Sequence, residues 1–89
     1  MIARVIFSRV LRETRLKKGL SQEDLAFEAG LSMRSISLLE GNKQQPSITT
    51  IENLSKALGI RMVDFFMELE IEYSRLTSEQ TKATQPLIN

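Results

Sequence analysis

Apolar positions recur along this chain at helical intervals and nowhere alternate as a strand would. Between Ile2 and Lys18, Phe7, Val10 and Leu11 fall three and four residues apart on one face, leaving Arg4, Arg9, Arg12 and Lys17 to the other. Gly19 closes this first helix. Ser21 is suited to cap a second, Asp24 makes a shortened capping box with it, and Leu25, Ala26 and Ala29 line one side of the run from Gln22 to Ala29. Gly30 supplies the left-handed backbone that stops this helix, and Ser32 caps a third, whose Ile36 and Leu39 face inward one turn apart. That helix ends near Gly41 and Asn42, residues that tolerate positive φ, and Lys43 to Pro46 is a polar loop. Ser47 caps a fourth helix with Ile51, Leu54, Ser55 and Leu58 on one stripe, closed by Gly59. A fifth begins near Arg61 without an obvious cap and carries Met62, Phe65, Phe66 and Leu69, with the spacing continuing weakly through Tyr73 and Leu76. The Ser/Thr/Gln-rich remainder, 77–89, reads as a flexible tail after a domain spanning 1–76. The predicted fold class is all-α, a compact five-helix domain.

The second and third runs have a specific relation to each other. Two helices joined by a short turn containing glycine make a helix-turn-helix, here 22–40. Ala26, fifth from Gln22, is small enough for close crossing; Gly30, ninth, sits at the turn; Leu25, Leu31, Ile36 and Leu39 lock the pair at a steep angle. With Ile36 and Leu39 turned in, the third helix exposes Met33, Arg34, Ser35, Ser37 and Leu38. Such units lay this face into the major groove of DNA. Arg34 matches the two acceptors of a guanine edge, Ser35 and Ser37 can bond a base or the backbone, and Met33 and Leu38 can pack on a thymine methyl. An ordinary solvated face would carry more Glu and Lys.

Charge is compatible with that reading without requiring it. The net charge is only +1, but residues 1–45 hold eight basic side chains against five acidic, a net +3, and residues 46–89 hold four against six, a net −2. A polyanion would meet the front half. The absence of Cys and His excludes a disulfide framework, a Cys/His zinc site and a histidine general base; no metal site and no cofactor is expected. No apolar run is long enough for a bilayer, and Arg4 and Arg9 interrupt the apolar N-terminal stretch, so a cytoplasmic protein is expected. At 89 residues the chain is near the lower limit for a self-sufficient core, which makes a second copy a natural complement.

From about Phe7 to Phe66 the sequence resembles the XRE family of bacterial and phage regulators, which includes the phage repressors and Cro. The residues that carry the resemblance are Arg15, the run Gly19-Leu20-Ser21-Gln22-Glu23-Asp24-Leu25-Ala26, then Ala29-Gly30-Leu31-Ser32, Ile36-Ser37, Glu40, Pro46-Ser47 and Ala57-Leu58-Gly59-Ile60. The resemblance implies a lambda-repressor-like DNA-binding domain. It places Gln22 on the DNA backbone as a brace for the recognition helix, with Ser32 and the backbone amides at a helix start joining the phosphate contacts. Asn42 and Lys43 match positions that grip phosphate on the far side, and Arg15 and Glu40 match a salt bridge between the first and third helices, which makes Arg15 structural. Two departures stand out: the third helix ends Glu40-Gly41-Asn42 where the family usually has glycine last, and the fifth helix lacks a polar cap. The small size is like that of the controller proteins of restriction-modification systems, whose late aromatic pair resembles Phe65-Phe66.

The expected function is a transcription regulator binding a palindromic or near-palindromic operator in double-stranded DNA as a homodimer, which doubles the base contacts of one small unit. Met62, Val63, Phe65, Phe66, Leu69 and Tyr73 are the candidate dimer surface, with at least one of Phe65 and Phe66 expected in the core. No membrane contact and no small-molecule effector is expected. The alternative is an antitoxin or adaptor that reuses the fold for protein binding through the segment after Glu70. An enzyme is the weakest reading, because no nucleophile-base pair, metal cluster or glycine-rich phosphate loop is present.

Overall fold

A computed structural model describes residues 2–81. Five helices follow in order: α1 (Ile2–Lys17), α2 (Gln22–Ala29), α3 (Met33–Glu40), α4 (Ile48–Leu58) and α5 (Met62–Thr81). α1 packs on α3 and α5, α2 on α3 and α4, and α4 on the start of α5. The core these contacts enclose comprises Ile6, Phe7, Val10 and Leu11 from α1, the expected apolar residues of α2 to α4, and Phe65 from α5. Phe65 is completely buried, its ring stacked on Phe7 with centroids 5.6 Å apart.

The helix ends follow from local chemistry. Ser21 Oγ accepts the Asp24 amide at 2.9 Å while the Asp24 carboxylate accepts the Ser21 amide at 3.2 Å, a complete capping box. Ser32 and Ser47 cap α3 and α4 the same way, through the amides of Ser35 and Thr50. Gly30, at φ 69°, ends α2 and turns the chain into α3.

The unusual end of α3 resolves into a Schellman loop. Gly41 has φ −86°, and a Cβ there would lie 3.0 Å from the Ser37 carbonyl oxygen, a tight approach that favours glycine at this position. Asn42 takes the left-handed conformation, φ 61°, that glycine usually fills, and the Lys43 amide returns to the Leu38 carbonyl at 2.8 Å. The order Gly-Asn is therefore a packing preference followed by a tolerated αL residue.

α5 also differs from expectation at both ends. The missing cap is supplied from inside: the Asp64 carboxylate accepts the backbone amide of Arg61 at 3.4 Å and its guanidinium at 2.9 and 3.0 Å. The hydrogen bond from Arg61 holds the Asp64 carboxyl below its ordinary range. At the other end the helix continues through Thr81, so 77–81 is helix rather than the expected tail. Residues 82–89 of that tail lie outside the described residues. What extends α5 is visible along it: Glu72 pairs with Arg9 of α1 at 3.2 Å and with Arg75 one turn on, and Leu76 packs against the core. These contacts hold a sequence whose local polarity alone suggested fraying.

Candidate nucleic-acid interface

The site is organised around one buried ion pair. Arg15 of α1 meets Glu40 at the end of α3 through two parallel hydrogen bonds, Nε to Oε2 at 2.6 Å and Nη2 to Oε1 at 3.1 Å. The third donor, Nη1, bonds the Leu20 carbonyl at 2.7 Å, tying in the α1–α2 turn. The side chains are 9% and 4% exposed, so the pair sits in low dielectric, and its bidentate geometry compensates the lost hydration.

From Glu40 the network runs outward to the surface. Gln22, the first residue of α2, donates from Nε2 to Glu40 Oε1 at 3.0 Å and accepts at Oε1 from the Ser37 hydroxyl at 2.9 Å. This fixes the otherwise ambiguous direction of the carboxamide, since only its NH2 end can serve the carboxylate. Three helices are thereby locked together at the point where α2 begins and the outer face of α3 emerges. The amides of Gln22 and Glu23 precede the first intrahelical bond of α2, from Leu25 to the Ser21 carbonyl, and face outward at the positive end of the helix dipole.

Beside this brace, Met33 and Arg34 are exposed and Ser35 half-buried at the start of α3, while Ser37 is exposed and Leu38 half-buried further along. Among the described residues Arg34 has no hydrogen-bond or ion-pair partner, so its guanidinium is available to a ligand. The Ser35 hydroxyl is shared with Ser32 at 3.0 Å and the Ser37 proton is committed to Gln22. Ser37 can thus offer a base edge only its acceptor lone pair, a limit that periodicity does not reveal. Ser32 is exposed at the cap of α3, and Lys43 is exposed in the loop beyond its end. Asn42 is half-buried and its Oδ1 is enclosed without a partner, so its first role is conformational.

The six residues expected on the dimer surface divide. Phe65 is corrected to a core residue: it is wholly buried against Phe7, because the aromatic pair straddles the boundary of the helix's inner face. Met62 and Leu69 are half-buried and pack mainly against the core. Val63, Phe66 and Tyr73 are exposed. Met67 and Ile71, which the reading omitted, are more than half exposed and complete a stripe with Val63 and Phe66 at spacings of three, four and eight residues. The signal was available in that spacing, hidden because a second apolar stripe runs beside it.

Comparisons with known proteins agree with this geometry. The model of the helix-turn-helix family HTH_3 matches residues 11–65. Control protein C.BamHI of Bacillus amyloliquefaciens is 42% identical over 62 residues, covering 68% of this chain and 76% of that protein. The HTH-type transcriptional regulator PuuR of Escherichia coli (strain K12) is 40% identical over 60 residues, but this chain spans only 32% of PuuR's length. Among solved structures, the restriction-modification controller protein C.Esp1396I, crystallised as a tetramer in complex with its natural 35 base-pair operator, is 35% identical. It superposes with a TM-score of 0.77 over 81% of this chain and 95% of that one. No described helix is long and apolar enough to cross a membrane. The brace from Arg15 to Ser37, the matched residues and the shared fold together establish that the chain belongs to the XRE-type helix-turn-helix family, the family in which its relatives include restriction-modification controller proteins.

Proposed function

We propose that this protein is a sequence-specific, non-enzymatic transcription regulator of the cytoplasm that binds a near-palindromic operator as a homodimer, with α3 in the major groove. The observation that carries the proposal is the position of Arg34 on the outer face of α3. Among the described residues it has no partner, its neighbours Met33, Ser35, Ser37 and Leu38 are uncharged, and the helix that carries it is held by the Arg15–Glu40–Gln22–Ser37 network. A bidentate Arg–guanine contact needs that orientation. The phosphates on either side fall to Gln22 with the first amides of α2, to Ser32, and to Lys43 with Asn42. The tetramer–operator complex of C.Esp1396I supports this arrangement by analogy of fold and family.

Dimerisation falls to the outer stripe of α5. Phe66 and Tyr73, with Ala3, Ile6, Leu69 and Glu70, line an apolar cleft of about 210 Å³ between the starts of α1 and the middle of α5. Val63, Met67 and Ile71 continue the surface, enough exposed hydrocarbon to favour burial against a second copy.

Selection from a randomised duplex pool at near-physiological salt tests the reading. An inverted repeat with half-sites about one helical turn apart is expected. Arg34→Ala should lose about 1–3 kcal/mol on that site and relax its base preference. Failure to enrich any motif overturns base readout, and a Met67→Glu variant that binds and sediments like wild type overturns the α5 dimer.

A further inference from the structure

We infer that Arg12, on α1, is a phosphate-contact residue, so that the DNA interface extends beyond the helix-turn-helix onto the first helix; the inference rests on the regulator reading above. Arg12 lines an open cleft of about 400 Å³ together with Arg15, Gln22, Ser37, Glu40 and Gly41. Gln22 and Ser37, which the proposed function places at the DNA, thus share one cleft with Arg12. Arg12 lies one turn before Arg15 on the same side of α1.

The charges in the cleft do not cancel. Glu40 is its only carboxylate, and both of its oxygens are taken up, one by Arg15 and the other by Arg15 and Gln22. Arg15 also donates from Nη1 to the Leu20 carbonyl. Arg12 is therefore left as a net positive charge, exposed and, among the described residues, without an ion pair. Glu13 and Glu40 share a second cleft with it, alongside Ser8, Arg9 and Leu16, but neither comes within ion-pair distance. Arg9, one turn earlier, behaves in the opposite way, being held by Glu72. A cation whose neighbour Glu40 is already occupied, next to the first amides of α2 at Gln22 and Glu23, suits a phosphodiester oxygen passing between α1 and α2.

The salt dependence of operator binding separates this role from base reading. Arg12→Gln should reduce the slope of log K against log[salt] by about 0.9 per protomer, hence about 1.8 for a dimer. The wild-type advantage over the variant then shrinks about 12-fold between 50 and 200 mM salt, while the order of preference among base-substituted sites stays the same. Arg12→Lys should restore most of the slope, because the charge returns without the fork. Matching thermal melts exclude a folding defect. Inorganic phosphate distinguishes a free-anion site: competition beyond that of an equal ionic strength of chloride would assign the cleft to free phosphate and overturn the DNA-backbone assignment. If wild type binds its site and Arg12→Gln matches it in slope and affinity, the inference alone fails. If wild type does not bind DNA at all, the regulator reading fails and takes the inference with it.

Discussion

Removing the Glu40 carboxylate should unfold the protein more readily than any surface change, and its cost follows from the network. Glu40→Ala deletes both hydrogen bonds from Arg15 and the one from Gln22, leaving the Arg15 guanidinium nine-tenths buried with the Leu20 carbonyl as its remaining partner. Stranding a buried charge in this way costs about 3–5 kcal/mol, whereas a whole domain of this length is stable by only about 4–13 kcal/mol. A single side chain thus controls a large share of the stability. Since each 1 kcal/mol moves Tm by roughly 4–8 °C for a domain this small, a fall of at least about 12 °C is expected. Urea unfolding followed by circular dichroism at 222 nm gives the free energy directly. Arg15→Met combined with Glu40→Leu is the control: with both charges gone, the double variant should be more stable than the sum of the single losses allows. A Glu40→Ala variant within about 1 kcal/mol of wild type, at unchanged m value, would refute the claim that this pair is desolvated and load-sharing.

The aromatic pair provides a contrast within one helix: Phe65→Ala should cost about 3–5 kcal/mol by opening a cavity beneath Phe7, while Phe66→Ala should leave monomer stability nearly unchanged, as denaturation at dilute concentration will report. Asn42→Gly should raise stability by a few tenths of a kcal/mol to about 1 kcal/mol, because glycine relieves the αL backbone and removes the enclosed Oδ1; a lower Tm would mean that the side chain stabilises the loop. Acid should loosen α5 from α1. The hydrogen bond and charge of Arg75, joined by the charge of Arg9, lower the Glu72 carboxyl against the opposing effect of burial. A depressed folded value means that this stabilisation is fully present above the ordinary glutamate range near pH 4.3 and is lost as pH falls through the lower folded value. Glu72→Gln should therefore weaken the protein at pH 7 and flatten that part of its acid profile; an unchanged profile would refute the linkage.

Local chemistry made most of the architecture legible beforehand. Ser21, Ser32 and Ser47 announced three helix starts because a cap acts within three residues, and Gly30 and Gly59 announced two ends because left-handed backbone is a property of one residue. The positions exposed on α3 followed from where Ile36 and Leu39 had to point. The places that escaped are those where the partner is distant in the chain. Phe65 and Phe66 look alike until α1 supplies Phe7 to one of them. The length of α5 depends on Arg9, 63 residues away from Glu72.

The sequence by itself thus determined five helices, the turn between α2 and α3, and which residues of α3 turn into the core, because periodicity and capping are short-range effects. Only the tertiary structure decided which apolar stripe of α5 is core and which is surface, what Gln22 and Ser37 do for each other, and which arginines of α1 are spent. Arg9, Arg12 and Arg15 are chemically identical and a turn apart; one is tied to α5, one is buried against α3, and one is without an ion pair among the described residues. That difference arises from the carboxylates that folding brings to them, Glu72 and Glu40, and charge in a protein acts through whatever lies within a few ångströms in space.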